Sequence, residues 1–167
     1  MTLQDLGALG ELVGGIAIIV SLIYVGLQIK QGAQASRAAT IQSFSTQYAE
    51  LILQITREDF RDIFWRGVGG LQNLRESETA AFMAFLASIV RMFESFYFQK
   101  MDGSFDDRLF DSWMTQTLDL FGTEGGREYW AFRKHQFNAE FVEFFDQQMA
   151  TFTPRPMYPD THLYKPE

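Results

Sequence analysis

Few side chains in this sequence have types and spacing that suggest chemistry. Arg91 and Glu94 stand one helical turn apart in the most apolar stretch of the second half. A charge withdrawn from water needs a partner, so the pair reads first as a buried ion pair. A carboxylate in an apolar pocket is also the setting that suits proton transfer, but no second acid, base or nucleophile accompanies this one. Helical carboxylate metal sites need paired Glu residues together with Glu-x-x-His on facing helices. The chain has two histidines: Phe132 stands three residues before His135, and His162 falls among prolines. There is no cysteine, which removes thiolate zinc, disulfides and thiol catalysis. No G-x-S-x-G, P-loop or G-x-G-x-x-G pattern occurs. Gly122-Thr123-Glu124-Gly125-Gly126-Arg127 is rich in glycine, yet its acid and its lack of Lys suit a helix start better than a phosphate cradle. The expectation is therefore no enzyme, no metal and no cofactor.

The remaining polar candidates, Glu11, Ser21 and Gln28, belong to an unusual element. Residues 12–29 read LVGGIAIIVSLIYVGLQI, without a charge, between Glu11 and Lys30. As a helix this run is about 27 Å long, close to the thickness of a bilayer's hydrocarbon core. A cleaved signal is the rival reading, supported by Ala33-Gln34-Ala35. It is opposed by an n-region without Lys or Arg and by an apolar run longer than a usual h-region. The run is expected to be a transmembrane anchor over residues 1–31. Lys30 and Arg37 follow it and no cation precedes it, so the positive-inside rule puts the N-terminus outside and the rest in the cytoplasm.

Within the anchor, Gly7, Gly14, Ser21 and Gln28 recur every seven residues, with Glu11, Ile18 and Val25 between them. Gly10 and Gly14 add a G-x-x-x-G pair. These positions share one helix face, and small residues let membrane helices approach closely. The stripe is the expected helix–helix contact. Leu12, Ile16, Ile19, Ile23 and Leu27 on the other side suit lipid.

Behind the anchor, residues 32–150 show helical periodicity and no useful β alternation. Ile41, Phe44, Tyr48, Leu51 and Ile55 form a seam within a helix that runs to about residue 66, with Gly32 as the expected hinge. A second helix runs from Ser77-Glu78-Thr79 to about Lys100, a third over 106–121 and a fourth over 128–149, the last with Tyr129, Phe132, Phe137, Phe141 and Phe144 facing the core. With seventeen Phe among 167 residues, the core should be aromatic. The fold class expected is all-α: a transmembrane helix, then a bundle of about four helices. A Pro-rich tail over 151–167 holds all four prolines and should be extended and mobile. Nearly all of the net charge of −7 lies after residue 30, since residues 1–30 carry only Asp5, Glu11 and Lys30. An acidic domain repels phosphate backbones, so nucleic acid is not an expected partner.

Leu9-Gly10-Glu11, Gly14-Gly15-Ile16-Ala17, Leu22-Ile23-Tyr24 and Leu27-Gln28-Ile29-Lys30-Gln31 together resemble the start of a family of small bacterial single-pass membrane proteins with a helical domain. The likeness continues through Arg91, Phe93-Glu94, Tyr97, Gln99, Gly103, Trp113, Gly125-Gly126-Arg127, Trp130, Phe137 and Phe141-Val142, and departs at Glu124, where Pro would be unsurprising. That family carries no established activity to transfer. The resemblance implies a bacterial source and hence the inner (cytoplasmic) membrane. The functional expectation is an accessory or scaffold subunit of a larger membrane protein complex, its partners lipid and other subunits or copies of itself. The alternative is a homo-oligomeric pore lined by the small and polar stripe.

Overall fold

The computed structural model describes residues 3–155. Among these there are six α-helices and no strand: α1 (Leu3–Thr56), α2 (Glu58–Val68), α3 (Glu76–Met101), α4 (Asp107–Phe121), α5 (Glu124–Arg133) and α6 (Ala139–Thr151). The all-α expectation therefore holds, and the helices number six rather than about five. The chain divides into two compact units, Met1–Phe44 and Ser45–Glu167.

Gly32, the expected hinge, lies inside α1. A glycine in a helix interior costs about 1 kcal/mol relative to Ala, too little to break a helix this long. The break comes instead at Arg57, whose backbone is extended (φ −68°, ψ 136°). Its guanidinium bonds both oxygens of Asp59 at 3.1 Å, and Glu58 and Asp59 put negative charge at the positive start of α2. The helix expected to run to residue 66 is thus two helices.

The helix expected over 128–149 is also two. Thr123 caps α5, its hydroxyl accepting from the Gly126 N–H at 3.2 Å, and Gly125-Gly126 falls in the first turn of that helix. A 3-10 turn over Lys134–Gln136 follows, Phe137 is extended, and Asn138 caps α6 by accepting from the Glu140 N–H at 2.9 Å. This interruption resets the helical register. Phe132, expected in the core, is 62 % exposed, and Phe145 is fully buried where Phe144 is only half-buried.

The core lies in the second unit and is aromatic. Phe64, Phe82, Phe93, Phe110, Phe121 and Phe141 are among its fully buried side chains. Rings meet edge to face, as between Phe121 and Phe145 (5.5 Å, 89°) and Phe64 and Phe85 (5.7 Å, 84°), the geometry that sets a ring's positive edge on a neighbour's negative face. Two glycines set how closely the helices around this core approach. A Cβ on Gly125 would lie 1.8 Å from the Gly67 carbonyl oxygen, and one on Gly67 would lie 2.7 Å from the Phe82 ring. Helices α2 and α5 cross there with backbone nearly against backbone.

The described part of the expected tail, residues 151–155, is mostly exposed and touches α4 at two points. Pro154 covers Gly122, where an added Cβ would come 2.2 Å from the proline Cγ. The Arg155 N–H donates to Asp119 Oδ1 at 2.8 Å. The rest of the expected Pro-rich tail, from Pro156, lies outside the described residues.

Gly125→Ala should lower the stability of the second unit by about 1–3 kcal/mol, the usual cost of overpacking. Gly14→Ala, where an added Cβ meets nothing within 4 Å, should leave that stability unchanged. Thermal unfolding followed by near-ultraviolet circular dichroism of the buried aromatics separates the two.

Candidate protein-contact surfaces

Helix α1 carries every residue of the expected membrane contact: Gly7, Gly10, Glu11, Gly14, Ile18, Ser21, Val25 and Gln28 are all exposed. No heavy atom lies within 4 Å of where a Cβ would stand on Gly7, Gly10 or Gly14, so another backbone has room to approach. The Ser21 hydroxyl donates to the Ala17 carbonyl at 2.8 Å within its own helix. Leu12, Ile16, Ile19, Ile23 and Leu27 are exposed too, so apolar side chains surround this part of α1. Two helices are long and apolar enough to cross a membrane. None of the apolar window of α1 is buried, whereas half of that in α3 is, as a core helix requires.

The ion pair expected between Arg91 and Glu94 forms, at 2.7 Å, but it is not buried. Arg91 is 55 % exposed and Glu94 13 %. Each side chain has a second task. Arg91 donates to the Gln136 carbonyl at 2.7 Å and lies over the Phe137 ring, while Glu94 accepts from the Asn138 N–H at 2.6 Å. Together they clamp the interruption between α5 and α6 to α3. This is a structural role at the edge of the core.

Among the described residues the deeply buried charge is Glu78, 6 % exposed, which its sequence marks only as a helix start. Its Oε2 accepts from Arg66 Nη1 and from the Arg75 N–H, both at 2.9 Å, and its Oε1 accepts from Arg75 Nε at 2.8 Å and from Nη2. Asp62 holds Arg66 from its other side at 2.8 Å. These bonds to Arg66 and then to Arg75 hold the Glu78 carboxyl far below its ordinary value of about 4.5. The sequence signals were present: Asp62 and Arg66 are spaced i,i+4, and Glu78 is the third residue of α3, where a carboxylate reaches back to the N-cap N–H.

Tyr129 is fully buried, and its hydroxyl has no hydrogen-bond partner among the described residues. Burial pushes its pKa up to about 12. Arg127 donates to the Gly122 carbonyl, so the Gly-rich run from Gly122 bonds to itself and starts a helix, as its sequence implied. His135 sits in the 3-10 turn and His162 lies outside the described residues. Among the described residues no three His, Asp or Glu side chains gather as a metal site would require.

Among the grooves of the second unit, one lies between α1, α3 and α4. Its floor is Phe64, Phe85 and Ile89, its walls are Leu51, Ile52 and Ile55 of α1 and Leu120 of α4, and its polar lip is Gln116 and Asp119. Its volume is about 200 Å³.

Because Glu78 titrates lower in the folded chain than in the unfolded one, it contributes stability above its ordinary value near 4.5, and that stability is lost as pH falls below it. Glu78→Gln should lower the melting temperature at pH 7 and flatten its decline between about pH 5 and pH 3, read from a series of thermal melts. Tyr129→Phe removes a buried hydroxyl without a partner, so its melting temperature should equal or exceed that of the parent.

Comparison with known protein families, with curated proteins and with solved structures finds no match for the chain.

Proposed function

We propose that the chain is a membrane-anchored helical subunit that acts through protein–protein contacts, as an accessory or scaffold component of a larger membrane complex. The observation that carries this reading is α1: residues 12–29 are apolar on all sides, and not one of them is buried. A helix apolar all round needs an apolar surrounding, and a bilayer supplies it over this length. The open backbone along Gly7, Gly10 and Gly14 supports a second helix as the neighbour on that face. Lys30 and Arg37 after the run support a second unit on the cytoplasmic side, and the sequence resemblance supports a bacterial inner membrane as the location. Contact rather than catalysis is favoured because the charged groups Arg91, Glu94 and Glu78 are engaged in holding helices together. The pore alternative has less support, since the proton of Ser21 is already donated within its own helix.

Native mass spectrometry of the particle extracted from membranes in mild detergent tests the proposal. The expected result is co-purification with other subunits at fixed stoichiometry. Gly14→Ile should reduce that recovery about tenfold, the effect of losing 1–2 kcal/mol of helix contact, while leaving the melting of the second unit unchanged. Recovery of the parent only as a free monomer would overturn the reading, and a closed ring of this chain alone would replace it with the pore.

A further inference from the structure

Another pocket of the second unit, of about 330 Å³, lies between α3 and the end of α5. Its floor is one face of α3: Ala80, Ala84 and Ala87 stand at helical spacing, with Met83 beside them. Its rim is Tyr129 and Arg133, one turn apart on α5, and Gln136. The volume falls at the small end of the range for small-molecule sites, about 300–1,000 Å³. The alanines keep the floor low and apolar. Among the described residues no acid lines the pocket, although the chain carries a net charge of −7.

Two donors on the rim lack acceptors. The Tyr129 hydroxyl is buried and has no hydrogen-bond partner among the described residues. A hydroxyl so placed is costly, and the chain does not supply the acceptor that would offset it. Arg133 is half-buried, with its guanidinium carbon 4.9 Å from the centre of the Phe132 ring. No carboxylate or carbonyl among the described residues accepts from that guanidinium. The charges of Arg133 and Arg91 both oppose the effect of burial on the phenol, so the hydroxyl lies in a positive field. Arg91 is balanced by Glu94 at 2.7 Å, which leaves Arg133 as the uncompensated charge at the rim.

We propose that this pocket binds a small molecule with an apolar body and a single carboxylate. The body lies on the alanines and on Met83, whose flexible thioether adapts to irregular shapes. One carboxylate oxygen accepts from the Arg133 guanidinium. The other accepts from the Tyr129 hydroxyl, which a turn of the half-buried Arg133 side chain uncovers. A carboxylate suits the rim better than a phosphate monoester, because one uncompensated cation and one neutral donor match a single negative charge. The proposal does not depend on the membrane reading, since every residue it uses lies in the second unit.

The test dialyses the full chain, held in nanodiscs of zwitterionic phosphatidylcholine, against radiolabelled octanoate. Empty discs give the partition into lipid, which is subtracted. Saturable binding of one octanoate per chain is expected, with a Kd below about 1 mM. In competition, octanol keeps the body without the charge and inorganic phosphate keeps charge without the body. Each should bind about tenfold more weakly than octanoate, or worse. Arg133→Gln and Tyr129→Phe should each weaken octanoate binding about tenfold, and Arg133→Lys should recover part of the loss. The melting temperature of Tyr129→Phe should stay at or above that of the parent, which separates lost binding from lost folding. Ala84→Leu, at an exposed position, should fill the floor and abolish binding. Absence of saturable binding overturns the proposal. So does octanol binding as well as octanoate, which makes the pocket a plain apolar contact face. Phosphate binding as well as octanoate overturns it in favour of a general anion site, and parent-like binding by Arg133→Gln overturns it by placing the ligand elsewhere.

Discussion

At the crossing of α2 and α5, two helices share space that neither could share if its glycine carried a side chain. Gly125 meets the Gly67 carbonyl, and the Phe82 ring lies against both positions. Much of the second unit follows from this contact. It brings the 3-10 turn at Leu71–Asn73 next to α5, where the Leu71 N–H donates to Glu128 at 2.7 Å and Gln72 donates to Glu124 at 3.1 Å. It fixes where α3 must start, and Glu78 then closes that start by binding Arg66 of α2. A small loss of space at one glycine is therefore felt by three helices, because close-packed interiors transmit strain rather than absorb it.

The aromatic core supplies most of the buried apolar area but little direction, since dispersion and the hydrophobic effect are indifferent to register. Direction comes from a few polar bonds at its rim. Trp130 Nε1 donates to Asp146 at 2.7 Å, Lys134 holds the other oxygen of that carboxylate at 2.8 Å, and Tyr97 donates to Glu140 at 3.0 Å. With Arg91 and Glu94 these bonds hold α6 on α3 and α5 in one register, which brings Phe141 and Phe145 inward. The pair that looked most like chemistry in the sequence thus positions a backbone turn.

Helical periodicity and turn residues made the α3 and α4 boundaries legible to within a residue or two, because both helices begin with acids and end near glycine. The two errors have a common cause. Residues 33–66 and 128–149 are apolar at roughly helical spacing throughout, and periodicity alone does not register a short break inside such a run. Arg57 and Asn138 made those breaks with side-chain bonds to residues two positions on, a local chemistry as easily read as surface polarity. Gly125-Gly126 is legible as part of a helix start, but the close approach to Gly67 that requires glycine there serves a neighbour that the sequence does not display. Glu78 carried a capping signal, yet its partner Arg66 lies twelve residues back across a turn, so its burial was not visible.

The sequence alone determined the helical class, the aromatic character of the core, and the exposed apolar run in α1 with its stripe of small residues. All of these are properties of composition and of local period, which act within a few residues. The tertiary structure decided which charges are buried, which glycines are spacers, that Phe132 faces outward, and that residues 152–155 lie on α4. Those outcomes depend on atoms distant in sequence competing for the same volume, and only the folded chain resolves that competition.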